Sequence, residues 1–424
     1  MKRIILYMLL IGGCLYAQVE SSSGVSQFKQ QAFFVDFANY IDSTPAKTRL
    51  DVFIQVPYSS IQFIKQNNNF NASYNLSLVF YDKDKKNLLF ERIWKEKVST
   101  DDFENTISKN NFNLSYKTFD FVPGEYFLTC ILEDIDSRKS YSLDYKIKIN
   151  PISDSLGLSD IIFVTDVIKD TSGEKIVPNV SKTVTNRTKS LPIYFEVYSD
   201  KERDVILEYI LEDLKNNSSI EQSASYKIRK GTNSIFYTFE NTNFKLGDYK
   251  LTINLKDNEN NDLAFTEKRL YSIITGLPKS IDDLDKAIEQ MIYIASPNEL
   301  GFIKEGKTYE EKLERFLAFW DKRKPNPKMD ENPILIEYYR RVEYANKNFK
   351  GWGRDGWRSD MGMIYITFGP PSYVERHPLE PNSRPYEIWD YYELNRSFIF
   401  VDQTGFGDYR LINPDYSRWP GYRP

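Results

Sequence analysis

From Phe33 to about Ile152 apolar and polar residues alternate with a period of two. Leu50, Val52, Ile54 and Val56 alternate with Asp51, Phe53 and Gln55, and Tyr74, Leu76, Leu78 and Phe80 with Asn75, Ser77 and Val79. Side chains of a strand point to opposite faces in turn, so this pattern predicts antiparallel strands with one face in a core. Polar clusters such as Asp82 to Asn87 mark the turns between them. A second region, about Ser159 to Ile274, behaves alike, with Leu191, Ile193, Phe195 and Val197, then Val205, Leu207, Tyr209 and Leu211.

The two regions also share residues. Between Gly124–Asp134 and Gly247–Asp257, 123 positions on (124 to 247), a glycine, an acid, Tyr, Leu, Thr, Leu and Asp recur at the same spacing. Such agreement predicts two copies of one unit in tandem. The Gly-acid-Tyr start resembles the tyrosine corner of immunoglobulin-like and fibronectin-like sandwiches, in which a phenol bonds backbone across the corner ahead of a late strand. The earlier pair Leu50 and Leu191 is offset by 141 (50 to 191), which predicts extra residues in the first copy, in the stretch Ser59 to Ala72. Cys130 falls with Tyr126, Leu128 and Leu132 on the apolar side of its strand and is expected to be a buried structural thiol.

After Gly276-Leu277-Pro278 the period lengthens. Ser280 is a candidate N-cap with Asp282 and Asp283 behind it, and Ile281, Leu284, Ile288, Met291 and Ile292 share one helical face. Thr308 with Glu311 three residues on reads as a capping box opening a helix through Leu313, Phe316, Leu317 and Trp320 that stops before Pro325. Asn332-Pro333 opens a third with Leu335, Tyr338, Val342 and Ala345. Beyond it, Met363 to Phe368 reads as a strand by its apolar and aromatic run, followed by strands at 386–392, 397–401 and 408–412. The predicted whole is multidomain: two all-β immunoglobulin/fibronectin-like sandwiches at 24–152 and 155–275, then an α+β domain at 278–424. That domain places helices over 280–349 and a small antiparallel sheet over 356–412.

Composition narrows the setting. With 424 residues, a prior of roughly 150 per domain gives about three domains. Formal net charge is -4 from 56 basic and 60 acidic residues, which leaves no one-sided field for nucleic acid or an anionic membrane. Met1 to Ala17 has two positive charges, an apolar run and then small residues, the layout of a secretory leader, so the protein is expected outside the cytoplasm: periplasm, outer membrane or extracellular. Two processing routes fit: cleavage after Ala17, or lipidation of Cys14 in the lipobox-like Ile11-Gly12-Gly13-Cys14. Membrane contact is expected only by the second.

The densest concentration of Trp, Gly, Asp, Arg and Tyr lies between Gly351 and Leu411 and includes the one histidine, His377. Gly356-Trp357-Arg358-Ser359-Asp360, then Gly362, Ile364-Tyr365-Ile366 and Phe368-Gly369-Pro370-Pro371 resemble the signature of the GWxTD-domain family, exported proteins of Gram-negative bacteria. Phe319-Trp320 with Arg323 and Pro325, the run Glu337 to Asn346, Tyr386-Glu387-Ile388-Trp389 and Gly407 to Leu411 extend the likeness over about Ser280 to Ile412. Ser359 stands for the family's Thr and keeps its hydroxyl, and Lys324 stands where an acid is expected. The resemblance implies an address and a fold, and no assigned activity.

Two readings of these residues compete. In one, Asp360 accepts N–H bonds of its own turn with Ser359 helping, Trp357 packs on the sheet or a helix, and a binding surface uses Trp357, Arg358, Ser359, Asp360, Tyr365, Trp389 and Arg410 for an envelope protein or cell-surface glycan. In the other, Asp360, Glu387, Asp402 or Asp408 form an acid and base, Arg358 or Arg410 orients an anion and His377, expected exposed in a loop, shuttles a proton for a hydrolase acting on envelope polysaccharide or peptide. Of these, Asp360, Glu387 and His377 are the catalytic candidates. One histidine and no spare thiol leave a His/Cys zinc site or a Ser-His-Asp triad short of parts, so neither cofactor nor metal is expected.

Overall fold

The computed structural model describes residues 32–412 apart from 45, 109–110, 171–172, 241, 275–276, 278–282, 328–331, 351–353 and 379–382. The leader, Cys14 and the candidate cap Ser280 lie outside the described residues. Among the described residues no helix is long and apolar enough to cross a membrane.

The alternating regions form strands as the pattern predicts. In the first copy these are β1 (Phe34–Ile41), β2 (Thr48–Pro57), β3 (Asn69–Asp82), β4 (Leu88–Thr100), β5 (Phe112–Phe121), β6 (Gly124–Asp134) and β7 (Ser140–Ile149). In the second they are β8 (Ile162–Asp170), β9 (Ser190–Ser199), β10 (Arg203–Asp213), β11 (Ser218–Ile228), β12 (Gly231–Glu240), β13 (Gly247–Lys256) and β14 (Asp262–Ile273). The first copy pairs as β1-β2-β5 and β4-β3-β6-β7, the second as β8-β9-β12 and β11-β10-β13-β14, so adding seven to each of these labels gives the other copy; the second copy's sheets also carry short strands at Leu156–Leu158, Gly173–Pro178 and Thr183–Thr185. Each copy closes over its own core: Leu50, Val52, Ile54, Tyr74, Leu76, Leu128 and Cys130 in one, Leu191, Ile193, Phe195, Leu207, Tyr209 and Leu251 in the other. The repeat reaches the corner bonds. Tyr126 Oη donates to Val122 O at 2.8 Å, and Tyr249 Oη accepts from Lys245 N at 2.8 Å, in both cases four residues upstream.

The extra residues of the first copy sit in two places. One is the connection from β2 to β3, where a turn at Tyr58–Ser60 and a strand at Ile64–Gln66 replace the three residues between β9 and β10. The other is the connection from β4 to β5, which carries a short helix at Phe103–Thr106. Cys130 is buried, and burial pushes its thiol pKa up, so it is an inert core residue.

The two copies are joined along β1 and β8. Ala38 and Tyr40 pack on Ile162 and Val164, and Asn39 holds Asp160 through its backbone N–H at 2.9 Å and its amide at 2.7 Å. Asp36, almost fully enclosed, takes Lys182 at 3.1 Å and Lys268 at 2.6 Å. Two cations around one buried carboxylate tolerate the loss of water only because each also meets backbone carbonyls, Val35 O for Lys182 and Phe37 O and Ile161 O for Lys268.

The C-terminal third has five helices among the described residues: α1 (Leu284–Glu289), α2 (Pro297–Lys304), α3 (Tyr309–Asp321), α4 (Pro333–Asn348) and α5 (Asp360–Phe368). Thr308 and Asn332 cap α3 and α4 as read from sequence, but Asp283 caps α1, which stops at Glu289 in a tighter turn, Gln290–Tyr293. Helix α2 is an addition, opened by Ser296 and Glu299 in a full capping box. The expected strand Met363–Phe368 is instead the body of α5. Ile366 joins the helical core with Trp320, Tyr339 and Val342 while Met361, Ile364 and Tyr365 join the sheet's core, so α5 is apolar all round. A short element enclosed on every side carries no period to tell helix from strand.

The sheet therefore begins one element later, in order β15 (Tyr373–His377), β16 (Tyr386–Tyr391), β17 (Arg396–Asp402) and β18 (Tyr409–Leu411), all antiparallel. Leu246 and Ile274 from the second β copy share the helical core, and Leu246 N donates to Tyr309 Oη at 2.7 Å.

Candidate functional site

Two glycines explain why the Gly356–Gly362 segment takes its shape. A Cβ on Gly356 would stand 1.9 Å from Ala345 O of α4, and one on Gly362 would stand 2.0 Å from Gly356 O. Backbone therefore lies on backbone at both positions, which only glycine permits. Between them Trp357 is wedged into the helical core at 3 % exposure, its N–H donating to Asn346 Oδ1 at 3.1 Å and its carbonyl accepting from Tyr293 Oη at 2.9 Å.

Ser359, not Asp360, serves the turn. Its Oγ accepts from Gly362 N at 2.9 Å as the N-cap of α5 and donates to Gly356 O at 2.7 Å. Asp360 reaches away from the turn and accepts Leu411 N at 2.8 Å, tying the start of α5 to β18. The carboxylate also stands in the first turn of α5, where a negative charge favours the helix. Arg358 lies over the Trp357 ring at 4.7 Å and pairs with Glu289 of α1 at 3.0 Å on an exposed flank.

The other end of α5 is held from α4. Arg341 Nη1 donates to Ile366 O at 3.2 Å, taking up a carbonyl that the helix end leaves free. Glu337 receives Arg340 Nε at 2.6 Å and Arg341 Nε at 2.7 Å, and these bonds hold its carboxyl down to about 2 against the opposing effect of burial. Tyr365 stacks on Tyr344 at 4.3 Å; burial raises its hydroxyl pKa, with Tyr344 adding to the rise and Arg340 opposing it.

On the sheet, Trp389 is buried against Phe349 and Phe400, and its Nε1 donates to Glu387 at 2.9 Å. Glu387 also takes Arg376 at 3.2 Å. Asp402 closes its own turn by accepting Thr404 N at 3.1 Å, Gly405 N at 2.9 Å and Gly407 N at 2.7 Å. Burial pushes its pKa up, but those N–H groups outweigh that and leave it below the ordinary carboxylate range. Asp408 is bonded by Arg410 at 3.2 Å.

His377 is not in an exposed loop. It ends β15 opposite Tyr386, stacks on that ring at 4.3 Å and bonds Glu375 at 2.8 Å. A helix where a strand was expected made room for β15 and drew the histidine into the sheet. Register puts His377 and Tyr386 on the face of the sheet opposite to Glu387, so the catalytic set imagined from sequence is divided. Glu387 and Asp402 share one face of the sheet by register, and both add to the rise that burial gives the Tyr409 pKa. Among the described residues no three His, Cys, Asp or Glu side chains are placed to hold a metal ion. Asn346, Glu337 and Arg341 carry as much of this geometry as the named motif. Their signal in the sequence was a polar face on a helix, which reads equally as a solvated one.

A family model described as the GWxTD domain matches residues 267–413. No curated protein matches the chain. Solved structures with a likeness include red sea bream transglutaminase, at 10 % identity over 57 % of this chain and 31 % of that one, with a TM-score of 0.18. A Bacteroides uniformis β-glucuronidase stands at 11 % identity over 53 % and 26 %, TM-score 0.19, and a putative β-galactosidase from Bacteroides fragilis at 13 % over 55 % and 34 %, TM-score 0.19. The chain thus spans about a third or less of those proteins' length, and at such TM-scores the likeness carries no argument.

Proposed function

We propose, from the premise that this chain carries a GWxTD domain, that it is an exported cell-envelope protein whose work is binding or scaffolding rather than catalysis. The observation that carries the reading is the commitment of the motif's polar groups: Ser359 caps α5, Asp360 holds Leu411 N, Glu387 holds Trp389 and Arg376, and Asp402 closes its turn. Groups so engaged support a frame. The partner is an envelope protein or a cell-surface glycan, and nucleic acid is not among the candidates given the balanced charge.

In the same reading the chain divides at 24–152, 155–275 and 278–424, with the first two units immunoglobulin/fibronectin-like. The three-strand and four-strand paths that both copies share, each extended by short extra strands, and the paired corner bonds of Tyr126 and Tyr249 support this. Export is supported by Met1 to Ala17, and the location is periplasm, outer membrane or cell exterior.

The test is to purify the protein from fractionated cells, determine its N-terminus by mass spectrometry and incubate it with envelope polysaccharide. The expected results are an envelope-associated product starting at Gln18, or at a lipidated Cys14, and no new reducing ends. An intact Met1 in the cytosolic fraction overturns the address. New reducing ends that vanish in Asp360→Asn, with the melting temperature unchanged, overturn the non-catalytic reading.

A further inference from the structure

The outer face of the β1-β2-β5 sheet meets the outer face of the β8-β9-β12 sheet, and the meeting is a wedge. Along its closed side Asp36, Ala38 and Tyr40 of β1 and Ile162 and Val164 of β8 are all buried. One strand across, Arg49, Phe53, Tyr194 and Glu196 of β2 and β9 are half-buried. At the outer strands Tyr116 and Thr118 of β5 and Ser234 and Phe236 of β12 are exposed, with Tyr116 at 58 % and Phe236 at 48 %. Burial thus falls from the inner strands to the outer ones at these positions, while Asp51 and Tyr198 on the middle strands stay buried, so the two surfaces are packed along one side and open along the other.

Tyr116 stacks on Phe53 at 5.9 Å and Phe236 packs tilted on Tyr194 at 4.9 Å, so each lip presents a ring braced by another. Behind them Glu196 accepts Tyr194 Oη at 2.8 Å and Tyr198 Oη at 2.6 Å. Arg49 lies over Tyr40 at 4.5 Å and 3.3 Å from Asp51. That approach lacks hydrogen-bond geometry, leaving Arg49 Nε and Asp51 Oδ1 without a hydrogen-bond partner although Asp51 is only 8 % exposed. Burial raises the Asp51 carboxyl pKa, opposed by Arg49 and by a hydrogen bond from Thr118, with Glu196 adding to the rise.

We infer that this wedge between the two β copies is a carbohydrate-binding cleft that takes neutral or amino sugars. Exposed, braced rings offer flat apolar faces to the C–H face of a pyranose, while the half-buried Glu196 carboxylate and Arg49 guanidinium offer an acceptor and donors to its hydroxyls. Two carboxylates against one arginine give the cleft a negative excess, which disfavours uronates and sulfated chains. The inference rests on the binding reading above and names its ligand class and place.

The test is native affinity electrophoresis of the full chain in gels containing galactomannan, xyloglucan, laminarin, chitosan or alginate. Retardation is expected in at least one of the first four and not in alginate, with apparent affinity falling at least tenfold in the Tyr116→Ala/Phe236→Ala double variant and also falling in Glu196→Gln. Phe265→Ala, an exposed ring on the opposite sheet of the second copy, should migrate as wild type. Absence of retardation in every gel, retardation kept by the double variant, or retardation only in alginate overturns the cleft. Should a lysine-rich peptide bind in place of sugar and depend on the same two rings, the cleft is a protein-docking site and the sugar assignment fails. New reducing ends in a gel matrix would sink the non-catalytic reading while leaving the cleft standing.

Discussion

Aromatic rings, carboxylates and arginines gather at two places in this molecule, and the two are built in opposite ways. Around Gly356–Gly362 the rings are buried, and Ser359 and Asp360 each bond backbone. Between the β copies the rings Tyr116 and Phe236 stand exposed, and Arg49 and Glu196 are half-buried. The first place is conspicuous in the sequence, the second is not. What separates the two places is therefore whether the rings are enclosed or exposed, and density of functional side chains along the chain is a poor guide to that.

The sharpest way to break this contrast is at the closest contact. Gly356→Ala forces a methyl to 1.9 Å from Ala345 O and should cost more than about 4 kcal/mol, read as loss of the cooperative urea transition of the C-terminal third. Next, Asp36→Ala on the closed side of the wedge strands Lys182 and Lys268 and should cost about 3–5 kcal/mol in the urea transition of the two β copies, whereas Tyr116→Ala on its open side should stay within about 0.5 kcal/mol. Ser359→Ala should lose about 1–2 kcal/mol and Ser359→Thr almost nothing, since the threonine hydroxyl can keep the cap.

The smallest effect separates the two places by pH. Glu337 is held down to about 2, so its stabilisation is complete above its unfolded value of about 4.3 and is lost as pH falls from there toward 2. Asp51 is shifted the other way by burial, so it costs stability while ionised, and acid relieves that cost as pH falls through its raised value. Hydrogen exchange between pH 5 and 2.5 should therefore show the α4–α5 contact opening before the seam of the two β copies does.

Much of the architecture was legible in the chain. Alternation at Leu50–Val56 and Leu191–Val197 located the strands, the Gly-acid-Tyr recurrence located the repeat, and Thr308 and Asn332 located two helix starts. Helix α5 was not legible because its residues Met361 to Ile366 are enclosed by two cores and show no polar face. His377 followed from that error. Helix α2 could have been found from Ser296-Pro297-Asn298-Glu299, a complete box written in the sequence. The wedge was out of reach, since nothing in the separate patterns of β5 and β12 reports that two sheets 120 residues apart face each other.

The most direct test of the contrast is the unfolding free energy of Asp360→Ala together with amide exchange at Leu411. A carboxylate that holds the frame predicts a loss of about 1.5–3 kcal/mol and a Leu411 amide that exchanges at least tenfold faster. Groups placed for chemistry or recognition are commonly held at the expense of stability. Unchanged or increased stability with Leu411 still protected would contradict the account and return Asp360 to the list of working residues.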